Sequence, residues 1–211
     1  MVTIIPAVLA LTEQEYRVEL KKASLVGNTI HVDIVDGKFS DTLTVGLDVI
    51  KKVKTKRALE AHLMVVRPSE YVGDLIKLGF KRVILPLEPR EPLTGSIALL
   101  RQANLSIGLS LNPQTPLSEI GNLFEEVDQI TLLGVNPGFS GQDMISEVYK
   151  KIESLVNLVP PGVKIEVDGG VTEDNAQQLV DAGADILAIG SHLVNSLDPR
   201  KQLEKILASL N

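Results

Sequence analysis

The sequence predicts an α/β protein with a single (β/α)8 barrel, or TIM barrel, over residues 1–211. Eight short runs of aliphatic residues recur along the chain, and segments with the periodicity of an amphipathic helix separate them. Reference positions in the second to eighth runs lie 22 to 34 residues apart, which leaves room for the crossover helix that parallel strands need. No Pro-, Gly- or Ser-rich linker divides the chain, so one domain is expected.

Each aliphatic run predicts one strand of the barrel. In chain order the predicted strands are Thr3–Ile5, Ile30–Val35, His62–Val66, Val83–Leu85, Ser106–Leu111, Gln129–Leu133, Val163–Val167 and Ile186–Ile189. Helix-start signals at Thr12 and Thr172 follow strands one and seven, and the amphipathic segment Lys201–Leu210 predicts the last helix. An open doubly wound sheet is the alternative. It would normally place a glycine-rich turn after the first strand, and Pro6–Ala10 contains no glycine.

Composition and charge exclude several classes of protein. The chain has 27 acidic against 21 basic residues and only 3% aromatic residues, so no nucleic-acid partner is expected. It has no cysteine, which excludes disulfides, thiolate metal sites and a cysteine nucleophile and suits a cytoplasmic protein. The apolar segment Val2–Leu11 is shorter than the roughly 20 residues of a membrane span and lacks the basic start of a signal peptide, so no membrane partner is expected.

Polar residues within the apolar runs mark the candidate site, because barrel enzymes place their chemistry at the carboxyl ends of the strands. Side chains alternate along a strand, so His31 and Asp33 point to the same side, and the third and seventh runs carry His62 and Asp168. If these four side chains converge on the barrel axis, two imidazoles and two carboxylates suit one divalent cation per chain, such as Zn, Fe(II), Mn or Co. The alternative for His31 and Asp33 is a single hydrogen bond inside the core. The third histidine, His192, is expected at the surface.

Glycine-rich loops follow the last three predicted strands. Gly138, Phe139, Ser140 and Gly141 follow the sixth strand, Gly169 and Gly170 the seventh, and Gly190 and Ser191 the eighth. Glycine lets backbone N–H groups approach an anion closely, and barrels frequently bind phosphate at these loops. The three loops together predict a small-molecule substrate that carries a phosphate.

Short motifs recur in a fixed order over nearly the whole chain. They are Pro6, His31-Val32-Asp33, Asp36-Gly37, His62-Leu63-Met64, Leu111-Asn112-Pro113, Val135-Asn136-Pro137-Gly138-Phe139, Glu166-Val167-Asp168-Gly169-Gly170 and Gly190-Ser191. In combination they resemble the ribulose-phosphate 3-epimerase family. The resemblance implies a barrel of the ribulose-phosphate binding type that interconverts D-ribulose 5-phosphate and D-xylulose 5-phosphate in the pentose phosphate pathway and the Calvin cycle. It also implies a homo-oligomer.

The same resemblance assigns roles to individual residues. It implies that His31, Asp33, His62 and Asp168 are the ligands of one catalytic divalent metal, and that Asp33 and Asp168 are also the two acid/base groups that act on a cis-enediolate. His62 and Met64 would lie against the substrate, with Met64 packed over the reacting carbons. The three glycine-rich loops would hold the substrate phosphate.

Five positions depart from the pattern of the family. Ala7 stands where a serine is usual, Val35 and Leu133 replace methionines, Pro86 replaces a histidine, and Ser140 replaces a glycine. None of them removes a metal ligand or an acid/base group. They leave two alternatives open, namely a related epimerase for another pentulose or hexulose phosphate, such as allulose 6-phosphate, and a degenerate barrel that binds sugar phosphate without turnover.

A phosphate-binding lyase, either an aldolase or a decarboxylase, is a further alternative. Such an enzyme needs a lysine at the carboxyl end of a strand to form a Schiff base or to polarise a carboxylate. Strands two, six and seven have none there, because Lys38 lies past the Asp36-Gly37 turn and Lys164 lies at the start of strand seven. The sequence therefore favours the epimerase.

Overall fold

A closed barrel of eight parallel strands forms the centre of the computed structural model, which describes residues 2–89 and 91–210. The strands are β1 Thr3–Val8, β2 Thr29–Val35, β3 Ala58–Met64, β4 Arg82–Pro86, β5 Ser106–Leu111, β6 Gln129–Leu133, β7 Lys164–Asp168 and β8 Ile186–Ile189. The α-helices among the described residues are α1 Glu13–Ala23, α2 Leu47–Lys52, α3 Ser69–Leu78, α4 Thr94–Gln102, α5 Glu147–Val156, α6 Ala176–Ala182 and α7 Pro199–Ala208. The predicted (β/α)8 barrel is confirmed.

The barrel closes because its first and last strands are hydrogen-bonded neighbours. Pro6 of β1 lies opposite Ile189 of β8, while Ala7 on the same strand lies opposite His31 of β2. The strand order follows the chain, and all the pairs are parallel. The carboxyl ends of all eight strands therefore meet at one mouth of the barrel, which is where polar side chains from different strands can come together.

Strand β3 begins at Ala58, four residues before the predicted start at His62. The prediction was wrong because Glu60 interrupts the apolar run that identifies a strand. In the structure Glu60 is fully buried, and its Oε2 accepts a hydrogen bond of 2.8 Å from Arg82 on the neighbouring strand β4. A buried carboxylate with a cationic partner is compatible with the interior, although its sequence pattern is typical of a surface.

The crossover between β5 and β6 contains no α-helix. Two short 3₁₀ helices, Leu117–Glu119 and Gly121–Glu126, take its place. Gly121, the first residue of the second 3₁₀ helix, has a φ of 54°, a left-handed conformation that interrupts an α-helix and that glycine adopts without strain. The other units keep the predicted strand-helix order.

Of the two helix starts predicted from the sequence, the one at Thr12 is confirmed and the one at Thr172 is wrong. Thr12 caps α1 as predicted, in a capping box in which its side chain accepts from the backbone of Glu15 and Glu15 bonds back. The helix expected from Thr172 begins only at Ala176. The reason is Asn175, whose side chain accepts from the Thr172 N–H and donates to the carbonyl of residue 170, so that this segment forms a turn.

The core is aliphatic, and it lies mainly between the strands and the surrounding helices. Val32 and Ile34, the β2 residues that alternate with His31 and Asp33, both belong to this main cluster. A second, small cluster combines Val35, Met64 and Leu133 with the half-buried Phe39. Across the described ranges, no helix is both long enough and apolar enough to cross a membrane.

Tyr16 on α1 gives a test of how this core is packed. The side chain is fully buried, its hydroxyl has no hydrogen-bond partner among residues 2–89 and 91–210, and burial raises the pKa of Tyr16 to about 12. A buried hydroxyl without a partner costs about 1–3 kcal/mol, so we expect Tyr16→Phe to raise the free energy of unfolding by about 1 kcal/mol, measured by urea denaturation. Tyr149→Phe, at a half-buried tyrosine on α5, should change nothing. A loss of stability in Tyr16→Phe would contradict this description.

Candidate active site

Four side chains from three strands meet inside the barrel near its carboxyl mouth. His31 and Asp33 come from β2, His62 from β3 and Asp168 from β7. Asp33 and His62 lie directly opposite each other in the β2–β3 register. All four side chains are buried, and the nitrogen and oxygen atoms that they offer lie within 4.8 Å of one another. The sequence analysis expected these four side chains to converge if the strands form one barrel. The structure shows this convergence.

One ring nitrogen of each histidine faces both carboxylates. Nδ1 of His62 lies 3.1 Å from an oxygen of Asp33 and 3.1 Å from an oxygen of Asp168. Nε2 of His31 lies 3.4 Å and 3.6 Å from the same two side chains, and it has no hydrogen-bond partner among the described residues although it is buried. An unpartnered imidazole nitrogen beside two carboxylates fits a divalent cation that prefers mixed N and O ligands. This cluster could bind a metal.

The charges of the cluster depend on one another. Burial disfavours the charged imidazole, yet the carboxylates of Asp168, Asp33 and Glu60 raise the pKa of His31 well above its ordinary value. His62 behaves in the same way, and Asp168 and Asp33 raise its pKa to about 9 against the effect of burial. Burial alone would raise the pKa of Asp33, but the hydrogen bonds and charges of both histidines hold it well below its usual range. Without a cation, protons on the histidines balance the carboxylates, so metal and protons compete for this site.

A second layer of buried polar residues lies beside the cluster, and the sequence analysis missed it. Glu60 accepts from Nδ1 of His31 at 2.8 Å, and Glu166 accepts from Thr131 at 3.1 Å. Burial and, to a smaller extent, the charge of Glu60 raise the pKa of Glu166 to about 8. Glu60 precedes His62 by two residues and Glu166 precedes Asp168 by two. Side-chain alternation along β3 and β7, the rule that paired His31 with Asp33, therefore places both glutamates inside the barrel.

A cavity of about 380 Å³ opens above the cluster at the carboxyl mouth. Asp33, Asp168 and Met64 line it together with all the residues predicted to hold phosphate, which are Gly138, Phe139, Ser140, Gly141, Gly169, Gly170, Gly190 and Ser191. His31 and His62 are fully buried beneath this cavity and are not among its described lining residues, so the cavity does not support a direct substrate contact for His62. The structure places the remaining predicted site residues around one space.

Glycine is required at two of the lining positions. Gly169 has a φ of 92° and Gly170 a φ of 71°, both in the left-handed region that other residues rarely adopt. A Cβ atom on Gly170 would lie 2.9 Å from the backbone of Met144, so the chain turns sharply against the loop that follows β6. This turn brings the backbone directly after Asp168 to the edge of the cavity.

Further polar residues line the cavity and were not predicted to do so, among them Glu19, His192 and Asn195. His192, expected at the surface, is half-buried, since its side chain is 33% exposed and its Nε2 contacts the carboxylate of Glu173. Glu173 lies 19 residues from His192 along the chain and reaches it from the loop after β7. Burial raises the pKa of Glu19 to about 7, although bonds from Asn195 and from the backbone of residue 9 oppose this shift.

The fold and this site together define the class of protein. A closed parallel barrel, a buried His/Asp cluster that could bind a metal and a glycine-lined cavity at the carboxyl mouth are the features of a (β/α)8-barrel enzyme.

Comparison with known proteins gives the family. The sequence profile described as "Ribulose-phosphate 3 epimerase family" matches residues 3–194, and the chain belongs to this family. It is 32% identical to the ribulose-phosphate 3-epimerase of Bacillus subtilis over 216 residues, which cover 99% of this chain and 100% of the relative. It is 35% identical to the chloroplastic ribulose-5-phosphate-3-epimerase of Arabidopsis thaliana over 217 residues, 99% of this chain and 77% of the relative.

Solved structures with much lower identity agree in fold alone. A mutant tryptophan synthase alpha-subunit from Pyrococcus furiosus is 14% identical, with 98% of each chain covered and a TM-score of 0.75. Orotidine 5'-phosphate decarboxylase from Pyrococcus horikoshii is 18% identical, with 99% of each chain covered and a TM-score of 0.69.

His62 gives a direct test of metal binding. His62→Ala removes the Nδ1 atom that faces both Asp33 and Asp168. We expect the affinity for zinc to fall by more than about 100-fold, since loss of an outer partner alone typically costs about 10–100-fold. The measurements are metal content after dialysis and titration with zinc. His192→Ala removes a histidine outside the cluster and should keep the full metal content. Full metal binding by His62→Ala would exclude His62 from the site.

The raised pKa values also determine how pH changes the stability of the metal-free protein. The pKa of His62 is about 9 in the folded chain against an ordinary 6.5, so its stabilising protonation is complete below pH 6.5 and is lost as the pH rises through 9. The raised pKa of Glu166, about 8, acts with the same sign. We expect the free energy of unfolding in EDTA to decrease between pH 6.5 and pH 9, with a shallower decrease in His62→Ala. A rise in stability across this interval in the wild type would contradict these charge states.

Proposed function

We propose that the protein is a metal-dependent epimerase that interconverts D-ribulose 5-phosphate and D-xylulose 5-phosphate by inverting C3. The observation that carries this proposal is the position of Asp33 and Asp168. Their carboxylates reach one cavity from β2 and β7, and their oxygens lie within the 4.8 Å cluster. Epimerisation of a carbon next to a ketone needs two such groups, one to remove a proton and one to return it on the opposite face. The names of the relatives support the same reaction.

Each step of the reaction has a residue to perform it. Asp33 takes the C3 proton of ribulose 5-phosphate, and the electrons of the broken C–H bond form a planar enediolate between C2 and C3. Asp168 then delivers a proton to C3 from the other face, and the two residues exchange roles in the reverse direction. A divalent cation held by the cluster would supply Lewis-acid stabilisation of the negative charge on the substrate oxygens.

The surroundings of the two aspartates suit this chemistry. Nδ1 of His62 contacts both carboxylates at 3.1 Å, so it holds their oxygens in a fixed relation. Met64 and Leu133 form an apolar wall of the same cavity and keep water from the reacting carbon. The glycine-rich loops that line the rest of the cavity would hold the phosphate through their backbone N–H groups.

The preferred ketose phosphate is the part of the proposal that depends on the departures from the family pattern. Ala7, Leu133 and Ser140 all line the cavity, so they can change substrate contacts without altering the acid/base pair. Another pentulose or hexulose phosphate, such as allulose 6-phosphate, is therefore the second candidate. A panel of ketose phosphates in a coupled assay distinguishes these substrates, and no turnover of any of them would support the degenerate barrel.

The fate of the C3 proton tests the reaction itself. In deuterated water, xylulose 5-phosphate formed from ribulose 5-phosphate should carry deuterium at C3 and none at C1, because only the C3–H bond is broken. Asp33→Asn and Asp168→Asn should each lower turnover by about 10²–10⁴-fold, the usual contribution of a general acid or base. The readouts are NMR of the product and a coupled assay.

Metal content must be measured in both variants, since each aspartate also belongs to the metal cluster. Asp74→Asn, at an exposed carboxylate on α3 that pairs with Lys77 at 2.9 Å, is the charge-matched control and should keep full activity. Product that retains its original proton at C3 from the first turnover would contradict the two-base mechanism. Full activity in Asp168→Asn would remove that residue from the mechanism.

A further inference from the structure

A buried hydrogen-bonded chain leads away from the cluster towards the amino-terminal mouth of the barrel. Nδ1 of His31 lies 2.8 Å from Oε1 of Glu60, and Oε2 of the same glutamate lies 2.8 Å from Nη1 of Arg82. Nε of Arg82 donates to the hydroxyl of Ser106 at 3.0 Å. His31 and Glu60 are fully buried, while the Arg82 side chain is 23% exposed. The chain therefore connects the candidate metal centre with the far end of the barrel.

The chemistry of these groups determines which nitrogen of His31 carries a proton. An ionised carboxylate only accepts hydrogen bonds, and a neutral imidazole has one N–H. In the neutral ring that can bind a metal, Nδ1 must donate to Glu60, so the lone pair lies on Nε2, the unpartnered atom that faces Asp33 and Asp168. Arg82 is always charged and keeps Glu60 ionised.

The other nearby carboxyl does not compete for this role. Glu166 lies 3.7 Å from Nδ1 of His31, beyond hydrogen-bond distance, and its Oε1 accepts instead from Thr131 at 3.1 Å. His62 has no corresponding partner, because its Nε2 is buried without a hydrogen bond among the described residues. Of the two histidines in the cluster, only His31 therefore has a carboxylate from the described part of the chain, that of Glu60, bonded to the ring nitrogen that faces away from Asp33 and Asp168.

We propose that Glu60, held by Arg82, is a positioning residue that fixes the tautomer and ring orientation of His31 so that Nε2 is the metal-binding atom. The inference rests on the metal dependence in the proposed function and adds to it a structural cause for which nitrogen binds. Carboxylates that hold metal-binding histidines in this way raise the affinity of the histidine for the metal. Glu60 does not reach the substrate, since it does not line the cavity at the carboxyl mouth.

Glu60 and Arg82 line a separate cavity of about 420 Å³, together with Thr3, Thr29, Ser106 and Lys164, which are first residues of their strands. This cavity is therefore at the amino-terminal mouth. Lys164 pairs there with Asp185 at 2.9 Å and is not a member of the chain His31–Glu60–Arg82–Ser106. Lys164→Ala is therefore a control for effects of a general disturbance of the amino-terminal mouth. If a Glu60 variant changes metal binding and Lys164→Ala does not, the change cannot be caused by a general disturbance of the amino-terminal mouth.

The experiment measures zinc affinity by competition with a chelator and the protonation of each histidine by long-range ¹H–¹⁵N NMR of the zinc-loaded protein. The chain has only three histidines, so their ring signals can be assigned by single substitutions. In the wild type, His31 should be protonated at Nδ1 with zinc on Nε2, and His62 should show the opposite pattern. This measurement requires no Glu60 variant to fold.

Glu60→Gln should lower the zinc affinity by about 10–100-fold, the usual effect of losing an outer carboxylate partner. The reason is that a glutamine amide cannot accept from both Nδ1 of His31 and Nη1 of Arg82, so its NH₂ group opposes one of them. Glu60→Asp keeps a carboxylate and should restore part of the affinity and the wild-type His31 pattern. Lys164→Ala should bind zinc as the wild type does.

Two results would overturn the inference. One is a wild-type His31 with its proton on Nε2. The other is a Glu60→Gln variant that is less stable to heat but has the zinc affinity and the histidine protonation pattern of the wild type. A merely structural role of Glu60 predicts that result. Zinc binding that depends on Glu60 in a protein without epimerase activity would contradict the proposed function and leave this inference standing.

Discussion

The structure depends on the balance of charge around two carboxylates buried at the centre of a barrel. Asp33 and Asp168 are less than a tenth exposed, and an unpaired ionised carboxylate in such a place is strongly unfavourable. His31 and His62 offset this unfavourable burial. Each histidine turns a ring nitrogen towards both carboxylates, and its protonated form supplies positive charge. A divalent cation supplies the same charge. The cost of removing the cation is therefore limited, and the site can exist in both states.

The residues on the two sides of this charged centre differ in character. Above it, Val35, Met64 and Leu133 form a small apolar cluster, of which Met64 and Leu133 line the cavity. Below it, Glu60 is neutralised by Arg82, so the interior does not accumulate a third unbalanced carboxylate. The surrounding strands carry aliphatic side chains on their outer faces and pack against the helices. The proposed substrate chemistry and the proposed support of His31 by Glu60 thus lie at different ends of one polar core.

The sequence predicted the parts of this arrangement that follow from local pattern. Alternation along β2 put His31 and Asp33 on one side, and the even spacing of the strands brought β3 and β7 to the same barrel. It did not predict Glu60, because a charged residue inside a strand is normally a sign of exposure. The partner that changes this conclusion, Arg82, lies 22 residues away and becomes visible only in the register of β3 and β4. The contact of His192 with Glu173 was missed for the same reason, since loops bring those residues together.

The central claim is that the four-residue cluster is the metal centre of this epimerase-family protein, and anomalous X-ray diffraction tests it most directly. Crystals of the full chain grown with zinc would be measured above and below the zinc absorption edge. The account predicts one strong anomalous peak per chain between Nε2 of His31, Nδ1 of His62 and the carboxylates of Asp33 and Asp168. A map with no peak at that position, or with zinc bound only elsewhere on the chain, would contradict it.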